Sequence, residues 1–184
     1  MYFRKMVGKL CYLSPIDIND AEKFTEWLND LEVTQNLSLY NLSVNVETER
    51  ELLVKLSKDH HYSIVDNETN QLIGVCGFFD HDLLHQKTEL GIFIGDKNYW
   101  GKGYGTEALR LLLDFGFKAL NINNVILKVF SFNERAIETY KKVGFKIIGA
   151  RREAVRRGAN VYDTIYMDIL PRDFYCESQL HQVT

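Results

Sequence analysis

Apolar positions along the chain follow two rhythms. Leu10 to Ile16 reads as a short strand that Pro15 closes. From Asp17 to Leu31 the spacing changes to threes and fours. Ala21, Phe24, Trp27, Leu28 and Leu31 then share one helical face, with Asn19 or Asp20 as the cap. Thr34 to Val46 is polar and irregular. Leu52, Leu53 and Leu56 predict a second helix over Glu47 to Ser57. Tyr62 to Val65 and Gln71 to Phe79 form a hairpin around the turn-rich Asp66 to Asn70. His81 to Gln86 is a polar connection to a further strand, Thr88 to Ile94.

A long helix follows Gly105, over 106 to 120, with Ala108, Leu109, Leu112, Leu113, Phe115 and Leu120 inward. Glu107 in its first turn suits the positive end of the dipole. Val125 to Phe130 is a strand of mostly branched residues. Asn133 to Val143 is a short helix that Gly144 can end in the left-handed conformation. Phe145 to Ile148 begins another strand, and Val161 to Leu170 is the last. The order β-α-α-β-β-β-α-β-α-β-β predicts an α+β fold with a mixed, mostly antiparallel central sheet flanked by helices. The crossover helix at 106 to 120 makes two of its strands parallel.

Composition narrows this further. With 184 residues, 46% of them hydrophobic, the chain is expected to form a single domain. Its core spans about 7 to 170, with a polar C-terminal tail over 171 to 184 that includes His181. Neither proline lies in the middle, and no low-complexity stretch or repeat marks a linker. The net charge of -3 lacks a bulk basic footprint for nucleic acid. Arg151, Arg152, Arg156 and Arg157 form a local basic cluster, read as a solvated strand-loop segment or as a contact to an acidic group. Cys11, Cys76 and Cys176 are too far apart for a zinc motif or a disulfide framework, and Cys11 and Cys76 suit buried thiols. No apolar run has membrane-spanning length or the form of a signal core, so a soluble cytoplasmic protein is expected. His60 and His61 point oppositely on a strand. His81 and His85 flank Asp80 and Asp82 as solvated loop residues, and no metal is expected.

The informative segment is Trp100-Gly101-Lys102-Gly103-Tyr104-Gly105-Thr106. Glycines alternate between a strand and a helix. They let the backbone approach a ligand, and the amides of a helix start face outward. This is a cradle for phosphates, although a strained turn without a ligand would look similar. The spacing G-x-G-x-G is neither a P-loop nor the dinucleotide fingerprint.

Here the chain resembles the GNAT superfamily of N-acetyltransferases, whose Q/R-x-x-G-x-G/A loop binds the coenzyme A pyrophosphate. Gly103-Tyr104-Gly105 matches the glycine pair, while Trp100 stands where the general pattern has Gln or Arg. The string YWGKGYGTEA is similar to the branch with the ribosomal-protein N-terminal acetyltransferases and spermidine acetyltransferase-like enzymes. A second segment, Asn133 to Phe145, resembles the family's N-x-x-A-x-x-x-Y-x-x-x-G-F. Asn133, Ala136, Ile137 and Tyr140 fall on one helical face, which a thin ligand arm could follow past the small Ala136.

The resemblance implies acetyl-CoA as cosubstrate and direct attack by a primary amine in a ternary complex. Trp100, Gly101, Lys102, Gly103, Tyr104, Gly105 and Thr106 would bind the coenzyme, together with Asn133, Ala136, Tyr140 and Lys142. Two splayed strands, Thr88 to Gly95 and Val125 to Ser131, would hold the pantetheine arm, with backbone groups of Ile92, Phe93 and Ile94 pairing to its amides. Tyr140 would serve the departing thiolate and Glu89 would be the candidate base. Glu89 as an ordinary half-exposed carboxylate stands equally beside that role. The acceptor site would come from Trp27 to Val46 and Arg151 to Tyr166. A protein N-terminal α-amine is the expected acceptor, with a polyamine or other small amine as the alternative and a non-catalytic coenzyme-binding regulator behind both. A homodimer is expected because dimers are common in that branch.

Overall fold

The first helix begins at Ala21, the first position of its apolar face, and Asp20, one of the two expected cap positions, precedes it without a side-chain capping bond. In the computed structural model, which describes residues 1–180, Asp17 accepts from the Asn19 backbone N–H and starts a 3-10 turn over Ile18–Asp20. Only then does α1 (Ala21–Leu28) begin, burying Ala21, Phe24, Trp27 and Leu28. Asp30 caps a separate short helix, α2 (Leu31–Thr34), by accepting from Glu32 N–H. Leu31, expected on the buried face, therefore leaves it and is exposed. Asn45 caps α3 (Val46–Leu56), in which Leu53 is fully buried while Leu52 faces outward.

The strands are β1 (Met6–Val7), β2 (Cys11–Pro15), β3 (His61–Asp66), β4 (Leu72–Asp82), β5 (Lys87–Ile94), β6 (Asn124–Phe130), β7 (Lys146–Arg157) and β8 (Asn160–Ile169). Their order is β1-β2-β3-β4-β5-β6-β8-β7. The sheet is mixed and mostly antiparallel, as expected, with β5 and β6 parallel. The connecting helices are α4 (Tyr104–Ala119), α5 (Glu134–Val143) and α6 (Pro171–Leu180).

The sequence reads as one domain, and the chain divides into two compact units. One comprises Met1–Phe78 with Gly91–Leu113, the other Phe79–Leu90 with the chain from Asp114 onward. In the first, antiparallel β1 to β3 and the start of β4 meet the apolar faces of α1 and α3. Phe24, Trp27 and Phe93 pack edge to face, at 5.5 to 6.3 Å between centroids. Cys11 and Cys76 are buried free thiols, as their apolar runs suggest, and burial pushes both thiols well above the usual range.

In the second unit, β6, β8 and β7 form antiparallel pairs, and β5 adds to β6 through Lys87↔Asn124, Thr88↔Val125 and Glu89↔Ile126. Gly144 closes α5 at φ +114. Two features depart from the expectations. The basic cluster belongs to the long strand β7 and not to a loop, because a bulge between Arg151 and Val155 lets the strand continue. At that bulge Glu153 takes φ +51 and donates its N–H to Asp163. The expected polar tail forms α6 from Pro171, where Phe174 is buried beside Phe117. His181 lies outside the described residues.

Candidate active site

Asp96 caps a 3-10 turn over Lys97–Tyr99, accepting from Asn98 N–H at 2.9 Å. The chain then passes through Trp100 in extended conformation to Gly101 at φ +72 and Gly103 at φ +91. Those two values require glycine, or a costly substitute. α4 starts at Tyr104, two residues before the expected position, and the bond from Glu107 N–H to Gly103 C=O closes its first turn. The amides of Tyr104, Gly105 and Thr106 thus belong to the turn whose N–H groups have no intrahelical acceptor. A Cβ at Gly101 would meet nothing, and one at Gly105 would meet only Ile94 Cγ1 at 3.9 Å. Packing therefore does not demand glycine at 105. Exposed glycines, first-turn amides and the positive helix end suit a pyrophosphate.

Side chains around this loop fasten it. The Trp100 indole N–H donates to the Ile94 C=O at 2.8 Å, and its ring packs against the α1 core. Tyr104 donates its hydroxyl to Asp66 at 2.8 Å and stacks edge to face on Tyr99. Burial, then the Asp66 hydrogen bond, push the Tyr104 phenol up to about 12. Asp66 also accepts from the Thr69 N–H and hydroxyl. Burial acts to raise its carboxyl, but these donors outweigh it and hold the group low. Glu107 accepts from the backbone N–H groups of Lys9, Leu10 and Cys11 at 2.7 to 2.9 Å. Lys102 is exposed beside the glycines.

The end of β5 is shaped by close approach. A Cβ on Gly74 would stand 2.4 Å from the Phe93 carbonyl oxygen and 2.9 Å from Ile94 Cα. The Phe93 side chain is committed to the aromatic core. Phe93 therefore has only its backbone to offer a ligand, and one Ile94 lone pair already serves Trp100. Ile92 is half-buried.

The second unit carries the remaining candidates. Asn133 caps α5 with its side-chain oxygen, accepting from Ala136 N–H at 3.2 Å. Ala136 and Tyr140 are half-buried, and Lys142 is exposed in the last turn. Tyr140 packs edge to face on Phe145, and burial raises its phenol to about 12. Glu89, also half-buried, meets Lys128 Nζ at 2.6 Å. His85 pairs with Asp82 at 2.9 Å, and among the described residues no group of His, Cys, Asp and Glu is arranged to hold a metal ion.

Around the region expected to receive the acceptor, Asp30 and Glu32 each hold Lys97 Nζ at 2.8 Å. Three partners were not anticipated: the Tyr104–Asp66 bond, the triple acceptance by Glu107, and Lys128. A signal for the last was present, since Lys128 is the only charged residue in the strand Val125 to Phe130. The other two join residues distant in sequence, and no local pattern encodes them.

The family profile described as an acetyltransferase (GNAT) domain matches residues 11–146. The chain is 30% identical over 142 residues to the spermidine N(1)-acetyltransferase of Escherichia coli strain K12, covering 76% of this chain and 69% of that protein. It is 27% identical over 168 residues to an uncharacterised N-acetyltransferase, p20, of Bacillus licheniformis, covering 88% and 93%. In fold it matches the spermidine N-acetyltransferase of Vibrio cholerae, solved with CoA and spermine, at a TM-score of 0.81 and 20% identity over 91% of this chain and 99% of that one. No helix among the described residues is long and apolar enough to cross a membrane.

Proposed function

This chain belongs to the acetyltransferase (GNAT) domain family, and we propose that its acceptor is a polyamine or a comparable small polycation. The chain is an acetyl-CoA-dependent acetyltransferase. The observation that carries the choice of acceptor is its 30% identity to a spermidine acetyltransferase over three quarters of its length. Elementary electrostatics agrees. A polycation is held by carboxylates, and in the second unit Glu89 already holds a primary ammonium, that of Lys128. The protein N-terminus expected from YWGKGYGTEA and overall length has weaker support.

Acetyl-CoA supplies the acetyl group as a thioester. Gly101, Lys102, Gly103 and the amides of Tyr104, Gly105 and Thr106 hold the pyrophosphate, and the exposed Lys142 adds a cation for the phosphates. Trp100 acts by fastening the loop to Ile94. Backbone groups of Ile92, Phe93 and Ile94 pair with the pantetheine amides, and one N–H there polarises the thioester carbonyl. Asn133 spends its oxygen on the helix cap, so its amino group is the part that serves the arm beside Ala136. The neutral acceptor amine forms a bond to the carbonyl carbon as the carbon–sulfur bond breaks. Its surplus proton passes to Glu89 or to solvent, and the sulfur takes one from Tyr140. A phenol held near 12 keeps that proton at neutral pH.

The test is thiol release at saturating acetyl-CoA with a panel of acceptors. Spermidine, spermine and putrescine are expected to give higher kcat/KM than peptides with free N-termini. A preference for the peptides would overturn the acceptor assignment and leave the enzyme class standing.

A further inference from the structure

The Glu89–Lys128 pair lies on one face of the sheet in the second unit. Glu89 is registered with Ile126 across the parallel pair, and Lys128 is two residues further along β6. Alternation puts both side chains on one face, where Lys128 reaches diagonally back to the carboxylate. Tyr166, the Cα partner of Lys128 on β8, projects from the same face. The Glu89 bond comes first in raising the affinity of Lys128 for its proton, burial opposes it, and the nearby Tyr166 and Asp80 add to it.

A lysine side chain ends in a primary alkylammonium, the same group that a polyamine carries. Whatever place the Lys128 ammonium occupies is one where this protein already stabilises such a group, at a 2.6 Å contact. The pair is also easily exchanged. Glu89 is 25% exposed and Lys128 47%, so water reaches both and neither is locked by burial. Replacing one ammonium by another leaves the charge around Glu89 unchanged, so no charge is stranded in the exchange.

We propose that Lys128 is a specificity-determining residue that competes with the acceptor's ammonium for Glu89 and is displaced when the acceptor binds. This rests on the reading of the acceptor as a cationic amine. Lys128 sets a threshold: a polycation, with several ammonium groups, displaces it more readily than a single weakly held amine does. Removing the Lys128 charge should tighten acceptor binding, opposite to the loss expected if the ion pair merely shaped the site.

The experiment measures KM and kcat for spermidine at saturating acetyl-CoA in wild type, Lys128→Met and Lys128→Arg, with melting temperatures alongside. Lys128→Gln provides a second neutral variant should the Met variant fold poorly. The neutral variants are expected to lower KM by about three- to fivefold, the range set by an exposed ion pair, with a smaller change in kcat. The arginine variant keeps the competing charge and stays near wild type. On a Glu89→Gln background the Lys128 substitution should no longer lower KM. An unchanged or raised KM in the neutral variants, or the same fall in the double variant, overturns the inference. Wild type that acetylates a peptide amine and no polyamine overturns the acceptor reading, and the KM ratio on that peptide then decides the role of Lys128.

Discussion

The indole N–H of Trp100 donates to the backbone carbonyl of Ile94 at 2.8 Å. The five residues between them hold a cap, a 3-10 turn and the approach to the glycine loop, so this bond joins the end of β5 to the start of that loop. Tryptophan where the general family pattern has Gln or Arg thus has a local reason. Trp100→Phe keeps a ring in the core and removes the donor. It should cost about 1 kcal/mol, or roughly 2–4 °C in melting temperature, and raise KM for acetyl-CoA more than it lowers kcat.

The three glycines of the loop should separate fold from ligand. Alanine at Gly101 or Gly103 meets a positive φ and should destabilise the protein by about 1–2 kcal/mol. Gly105 lies in the first turn of α4 with room for a methyl group. Gly105→Ala should leave stability unchanged or raise it by up to about 1 kcal/mol, while acetyl-CoA binding weakens. Thermal melts paired with coenzyme titration check this, and undiminished binding in Gly105→Ala would remove the loop from the coenzyme site.

Glu107 fixes the start of α4 through the backbone amides of Lys9 and Leu10 in the β1–β2 connection and of Cys11 at the start of β2. Glu107→Ala should cost about 1–3 kcal/mol, with Glu107→Gln less harmful because one amide oxygen can still accept. Denaturant unfolding measures the difference. Equal stability of both variants and wild type would mean that water replaces the carboxylate at no cost.

The elements visible in the sequence were those with a local cause. The strand at Tyr62 to Val65, the strand at Thr88 to Ile94, the αL glycine at 144 and the dipole-matched charges of Asn133 to Val143 all reappear. The failures have physical reasons too. Leu31 obeys the helical period but is taken by the Asp30 cap, a choice between two local signals that periodicity alone does not rank. Residues 171 to 180 look polar, yet Phe174 and Tyr175 beside Phe117 give that stretch a buried face. In the candidate site, the conformations of the glycine loop and of the Asn133-to-Tyr140 helix were legible because each is contiguous. The partners of Glu89, Glu107 and Tyr104 were not, since sheet register and strand connections bring them together.

Tyr140 contributes to the alkaline behaviour in a defined direction. Its phenol, raised by burial from the ordinary value of 10 to about 12, binds its proton more tightly in the folded protein. The associated stability is complete below pH 10 and declines as pH rises from about 10 to about 12. The rate should therefore rise with pH as the acceptor amine becomes neutral, with no falling limb from Tyr140 below pH 10. Tyr140→Phe should reduce kcat by about 10²-fold or more without moving the rising limb. A pH–rate profile of both proteins tests this, and full turnover in the phenylalanine variant would remove Tyr140 from the chemistry.

The most direct test of the account is to incubate the purified protein with acetyl-CoA and spermidine, and to quantify free coenzyme A thiol and acetylated spermidine together. One acetylated product per thiol released, dependent on both substrates, is the predicted result. Thiol release without acetylated spermidine, or neither product at saturating concentrations of both substrates, would contradict it.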